Sequence, residues 1–194
     1  MNIITVNSDA WSQGQIQSKL WLCETLEKIE SLPEKPVIWI LGGWYGLLAF
    51  LLFSRDRIHP ALICQFDIDE EANERAKRIN NTWIANGIHK FKTFNSDVTK
   101  MNYFNNDYGP RPDIIINTAC EHFSTQWAEL IPKGILVIAQ STNMPHEQHL
   151  HGADSLEQFV SQFKKQITIT EKTQLDFNYP KLVFSRYMIL GSKT

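Results

Sequence analysis

Val37-Ile38-Trp39-Ile40-Leu41-Gly42-Gly43-Trp44-Tyr45-Gly46 is an apolar run that breaks into glycines, and the chain then resumes as an apolar segment from Leu47 to Phe53. A strand, a tight turn and a helix N-terminus have this outline, and such a turn lets backbone N–H groups approach a nucleotide-like ligand. About twenty residues on, Ile63-Cys64-Gln65-Phe66-Asp67-Ile68-Asp69 reads as a second strand ending in acid, at the spacing where a carboxylate reaches ribose hydroxyls. Together the two signals predict a cofactor-binding α/β domain.

Working outward, the pattern of alternating elements continues. Residues 11–30 carry Trp11, Ile16, Leu20, Leu22, Cys23, Leu26 and Ile29 at helical spacing, and Ser31 to Pro36 stops that helix. Further strands are expected near 90–94, 113–117 and 135–140, with helices at 69–80, 124–130 and 154–163. Asp69 is placed to cap the second of the core helices, whose acidic start (Glu70, Glu71) and basic finish (Arg75, Lys77, Arg78) complement its dipole. The unbroken Ile114-Ile115-Ile116 run suits a strand buried on both faces. Two strands, 166–170 and 181–190, joined by a longer connection, close the chain. The expected fold is a Rossmann-like, doubly wound α/β sheet of about seven strands, mostly parallel with a terminal antiparallel strand, preceded by an extra helix. One domain is expected over 1–194, divided into a helical lid or flank at 1–36 and a core at 37–194.

Composition narrows the partners. Nineteen Lys and Arg against twenty-one Asp and Glu give a net charge of −2, which offers no strong signal for nucleic acid. Cys23, Cys64 and Cys120 are scattered without CxxC spacing, which argues against zinc and disulfides and fits a reducing cytoplasm. No signal peptide or spanning helix is evident, so a soluble cytoplasmic protein without membrane attachment is expected. Six Trp and eleven Phe suit a ligand pocket as well as packing. The oligomeric state is not readable.

This order resembles the class I S-adenosylmethionine-dependent methyltransferases from Val37 onward. Their first motif falls on Gly42 to Gly46, their ribose-binding acid on Asp67, their adenine-side acid on Asn95-Ser96-Asp97, and their turn into strand five on Leu130 to Val137. Within that superfamily the chain resembles a small group of phage and bacterial proteins through Ser18 to Glu24, Leu41 to Gly46, and Asn117-Thr118-Ala119-Cys120-Glu121-His122. The resemblance implies S-adenosyl-L-methionine as cofactor, held by Gly42, Gly43, Trp44, Gly46, Asp67, Ile68, Asp97, Val98 and Asn117. Two positions depart from the superfamily pattern: Trp44 stands at the middle glycine of GxGxG, and Ile40 where an acid usually sits near the methionine end. The methionine ammonium then needs another acceptor, among them the carbonyls of the turn, Asn117 or Glu121. A dinucleotide reader is disfavoured, because the third glycine of GxGxxG would be Leu47.

Asn117 to His122 leaves strand four at the edge where open α/β sheets bind ligands. Glu121 and His122 there form an acid/base pair suited to orienting or deprotonating a methyl acceptor, with the plainer alternative that they cap and pack the next helix. Cys120 reads as inert packing. The Asn/Asp-Pro-Pro-Tyr/Phe signature of amino-directed DNA methyltransferases is missing. His146-Glu147-Gln148-His149-Leu150-His151 is not HExxH, and no metal site is expected from it, although three histidines can bind zinc or nickel if the loop folds suitably. His149 is the third candidate catalytic residue. Trp44 and Tyr45 are candidates for cation–π contact with a sulfonium, and Trp11, Gln15, Ser18, Lys19 and Trp21 for a lid. The expected activity is methyl transfer to a small-molecule acceptor. Non-methyl use of the cofactor, a non-catalytic binding domain and an RNA or protein methyltransferase stay open.

Overall fold

The computed structural model describes residues 7–194; the first six positions of the expected 1–36 flank lie outside the described residues. One sheet of seven strands organises the chain: β1 (Val37–Leu41), β2 (Leu62–Asp67), β3 (Phe91–Asn95), β4 (Ile114–Asn117), β5 (Leu136–Thr142), β6 (Ile167–Tyr179) and β7 (Leu182–Lys193), in the order β3-β2-β1-β4-β5-β7-β6. The pairs among β1 to β5 are parallel, and β7 runs antiparallel to both β5 and β6. The expected Rossmann-like sheet and its single reversed strand are therefore present.

Alternation along the central strands builds two cores. Trp39, Leu41, Ile115, Val137 and Ile189 point to one face, where Trp127, Phe159 and Phe163 cover them from α4 (Gln126–Leu130) and α5 (Leu156–Phe163). Ile38, Ile40, Ile114, Ile116 and Ile138 point to the other. There they meet Leu22 and Leu26 of α1 (Gln13–Leu26), Leu48 and Leu52 of α2 (Leu47–Phe53) and Ala76 of α3 (Glu70–Ile79). Apolar residues on both faces are what parallel strands covered by helices require. Asp69 caps α3 as expected, its Oδ1 accepting from the N–H groups of Glu71 and Ala72.

Two expectations about the elements are corrected. The terminal strands are a hairpin of 13 and 12 residues turning at Pro180-Lys181, with no long connection. Its outer strand carries polar residues through Thr170 to Gln174, which hides the period-two spacing of Ile167, Ile169, Leu175, Phe177 and Tyr179. The N-terminal helix is shorter than 11–30 and does not bury a purely apolar stripe. Trp11 belongs to a preceding 3-10 turn (Ser8–Trp11), and α1 buries Ser18, Lys19 and Thr25 beside Leu22, Cys23 and Leu26.

Candidate functional site

Parallel strands that end together leave their following loops together, at one edge of the sheet. A cavity of about 440 Å³ opens at this edge, lined by Gly42, Asp67, Ile68, Ser96, Asp97, Val98, Thr99, His122, Phe123, Ser124 and His151. Its volume lies in the range of small-ligand sites. Six residues expected at the site line it: Gly42, Asp67, Ile68, Asp97, Val98 and His122. Ile68 is 70% exposed, an unusual position for an isoleucine, and with Val98 and Phe123 it gives the cavity apolar walls. Phe123 escapes a motif reading because it follows the Glu121-His122 pair with no spacing of its own; only its place after β4 marks it.

The glycine turn forms the floor. Gly42, Trp44 and Gly46 all have left-handed backbone, with φ of 63°, 47° and 76°. Trp44 thus holds a conformation that favours glycine, at a backbone cost of about 1–2 kcal/mol for an L-residue. Three bonds hold the turn: Trp44 N–H donates to Asp67 Oδ2 at 2.8 Å, Gln65 Nε2 donates to the Trp44 carbonyl at 2.8 Å, and Gly42 N–H donates to the Phe66 carbonyl at 2.8 Å. A Cβ on Gly43 would stand 2.3 Å from Gln65, and one on Gly42 2.9 Å from the Ala119 Cβ. The Trp44 ring packs on Tyr45 and the cluster it forms with Ala10 and Ala72, and it is not among the residues lining the cavity. Tyr45 is buried under the Arg75 guanidinium, 4.9 Å from its ring centre, and its hydroxyl accepts from Arg75 Nη1. The ring that was a candidate for a sulfonium therefore already has a cation of its own.

The two acids differ in environment. Asp67 is largely desolvated, which raises its pKa against the opposing backbone hydrogen bonds from Asp69 and Trp44. Each of its oxygens accepts one N–H, from Trp44 and from Asp69. Asp97 is pulled down to about 2 by Lys100, 2.8 Å away, and by Thr99.

Beside the cavity, between the ends of β4, β5 and β7 and helix α1, lies a buried polar group that sequence reasoning only partly anticipated. Asn117, Glu121, Gln140, Ser141 and Arg186 are each at most 4% exposed, and each has a side-chain atom without a hydrogen-bond partner among the described residues. Asn117 Oδ1 accepts from Ala119 N–H, so its Nδ2 is the free donor. Gln140 Nε2 donates to the Ser18 carbonyl, tying β5 to α1. Glu121 Oε1 and Arg186 Nη1 are 3.9 Å apart. Lys19 donates to Gln15 Oε1, and burial, with Arg186 nearby, brings its pKa down to about 7. Native interiors leave few polar atoms unpaired, so five such residues at one strand edge mark a place built for polar chemistry. Arg186 was missed because it lies in β7, far in sequence from every motif; only the reversed strand brings it beside Glu121.

His122 and His149 meet edge to face with ring centres 4.9 Å apart. Partial desolvation by its neighbours holds the pKa of His122, whose side chain is exposed along the cavity, below its usual value; His149 and His146 add to this, while Glu121 opposes it. Cys120 is buried and its thiol pushed well up by desolvation, which agrees with inert packing.

Strand order and reversed strand define a Rossmann-like α/β fold, one shared with solved methyltransferases. In particular, the chain is similar to the N-methyltransferase NodS from Bradyrhizobium japonicum WM9 solved with S-adenosyl-L-homocysteine: TM-score 0.67 and 13% identity, over 96% of this chain and 93% of that one. It is similar also to magnesium protoporphyrin IX methyltransferase (ChlM) from Synechocystis PCC 6803 with bound SAM, at TM-score 0.67 and 16% identity over 98% and 87% of the two chains. The YcgJ protein of Bacillus subtilis matches at TM-score 0.67 and 12% identity over 92% and 98%. No protein-family model matches the sequence, and no curated protein does. No helix among the described residues is long and apolar enough to cross a membrane.

Proposed function

We propose that this chain is an S-adenosyl-L-methionine-dependent methyltransferase acting on a small-molecule acceptor. The observation that carries the reading is the cavity between Asp67 and Asp97, set on a glycine turn and walled by Ile68, Val98 and Phe123. The residues fit an adenosine group. Apolar walls suit the faces of a flat base, and Asp67 keeps a second acceptor direction on each oxygen for a pair of ribose hydroxyls. The unpaired Nδ2 of Asn117 and the Glu121 carboxylate suit the polar amino-acid end. Gly42 and Gly43 have no Cβ to fill the space against Ala119 and Gln65, which keeps the turn low.

When bound, S-adenosyl-L-methionine supplies an electrophilic methyl group. The chain's own part is to hold and orient. Asp67 fixes the ribose end, and the turn amides fix Asp67. Glu121, His122 and His149 border the far end, where the neutral His122 lone pair accepts the acceptor's proton and Glu121 orients the acceptor. The chain acts as one domain over 1–194, with α1 over the Glu121–Arg186 group as a flank that excludes water from it. NodS and ChlM, methyltransferases by their descriptions, share the fold and support the class of reaction.

Calorimetric titration with S-adenosyl-L-homocysteine tests this reading. The wild type is expected to bind one equivalent, and Asp67→Ala to lose about 10- to 150-fold in affinity, the worth of a charge-assisted hydrogen bond of about 1.5–3 kcal/mol. No binding by the wild type, or unchanged affinity in the variant, would overturn it. One observation favours a second reading, transfer of the aminocarboxypropyl arm. Ile40 is fully buried in the core, so the usual acidic anchor of the methionine end has no counterpart there. Incubation with labelled cofactor separates the two: S-adenosylhomocysteine as product means methyl transfer, methylthioadenosine the other arm.

A further inference from the structure

We propose that Glu121, His122 and His149 form a binding site for one divalent first-row cation, with zinc the best match. One ligand atom from each lies within 4.8 Å of the other two. Donors about 2.0–2.2 Å from a tetrahedral cation stand roughly 3.4 Å apart, so side-chain rotation that draws the pairs together by up to about 1.4 Å completes the set.

The three residues come from two loops that are tied to each other. Glu121 and His122 lie in the turn after β4, and His149 in the loop after β5. That loop is pinned at its start, where Asn143 Oδ1 accepts from Ser185 N–H at 2.6 Å, and at its end, where His151 N–H donates to the Glu121 carbonyl at 2.9 Å. The site is therefore held from both sides and does not depend on a loose chain segment.

The donor atoms are prepared for a metal. His149 Nδ1 lies 2.7 Å from the Met144 carbonyl; it must carry the proton to bond there, which leaves Nε2 with a free lone pair. A carbonyl on the second ring nitrogen is how proteins orient ligating histidines. Glu121 is 3% exposed, and its Oε2 has no hydrogen-bond partner among the described residues, while Oε1 faces Arg186. Arg186 faces one carboxylate oxygen and leaves the other for a cation. His146 is excluded from the set: its Nδ1 accepts from Gln148 N–H at 3.2 Å, so its ring serves the loop.

Two imidazoles and one carboxylate suit zinc and its first-row neighbours, and three protein ligands leave a coordination position open. Glu121 is buried, His149 half-buried and His122 exposed along the cavity, so the open side faces the cavity and solvent. Such a position takes an oxygen donor. Resting on the methyl-transfer reading, this makes the acceptor a hydroxyl- or carboxylate-bearing molecule. In the cation-bound site the His122 lone pair is on the cation, which lowers the pKa of a bound hydroxyl so that its proton leaves to solvent; this replaces the proton transfer to His122 available to the metal-free site.

The test uses untagged full-length protein, stripped with chelator and titrated with zinc by calorimetry and with cobalt by visible absorption. One equivalent is expected, with cobalt bands of a four- or five-coordinate site. His149→Ala and Glu121→Gln are expected to weaken binding at least a hundredfold, and His146→Ala to leave it unchanged. Addition of acetohydroxamate, a bidentate oxygen donor, is expected to shift the cobalt bands. Each variant is also titrated with S-adenosyl-L-homocysteine. Retained binding of that ligand by His149→Ala and His146→Ala, neither of which is placed against the cofactor, shows a folded protein and separates failure of the metal site from failure of the cofactor reading. No stoichiometric zinc uptake, equal loss in His146→Ala, or no effect of His149→Ala in a variant that still binds S-adenosyl-L-homocysteine overturns the site. Unshifted cobalt bands overturn the open position.

Discussion

Gly43 is the residue at which the turn is least forgiving. Its virtual Cβ meets the Gln65 side chain at 2.3 Å, and Gln65 is fully buried and bonded to the Trp44 carbonyl. Gly43→Ala is expected to cost about 1–3 kcal/mol, the usual price of overpacking, read as a lower urea midpoint. The clash is with a side chain, so Gln65→Ala in the same chain is expected to restore part of the loss and give a clear coupling in a double-mutant cycle. Additive effects would show that Gln65 is not what Gly43 makes room for. At this scale the sequence told a half-truth about Trp44. It was legible as part of the glycine turn, and its backbone there is left-handed, with φ of 47°. What the indole does there was not legible, because the direction of a side chain from a turn depends on neighbours as distant as Ala10 and Ala72.

Among the elements, α3 is the one whose start was written most clearly in the sequence. Asp69 accepts from two N–H groups, and Glu70 and Glu71 follow in the first turn. Asp69→Ala is expected to lower stability by about 1 kcal/mol, within the 0.5–2 kcal/mol range of lost caps, measured by urea denaturation. Elements with a strong period or a cap were readable in this way: β1, β2, β4 and α3 fall within a residue or two of expectation. The β6–β7 hairpin was not, because an edge strand wet on one side carries polar residues that break an apolar run. Its misreading had a consequence for the site. Arg186 lay inside the strand expected at 181–190, but nothing in the sequence set that strand beside β5 and so beside Glu121, and Lys19 was seen as a lid residue without the charges it faces.

For the whole molecule, stability and binding are linked. A ligand held only by the native state adds about 2.7 kcal/mol at a hundred times its dissociation constant. For a chain of this length each kcal/mol moves the melting temperature by about 2–4 °C, so saturation with S-adenosyl-L-homocysteine is expected to raise it by about 5–11 °C. A thermal-shift scan checks this, and a nicotinamide dinucleotide at the same concentration is expected to leave the melt unmoved. The sheet plan that sets this behaviour was legible before any coordinates, since five β/α alternations admit few other folds. The union of two loops around Glu121, His122 and His149 was not, since it rests on the His151–Glu121 backbone bond, for which no spacing rule exists.

The reversed strand has one more consequence, in the order of synthesis. β7 sits between β5 and β6, and it brings Arg186 to Glu121 after every other site residue has been made. On the ribosome the first five strands emerge with the acid in place and its cation still unmade. A nascent chain can therefore pack much of its parallel sheet before the Glu121–Arg186 pair exists, and that pair forms only when the last hairpin zips in beside β5.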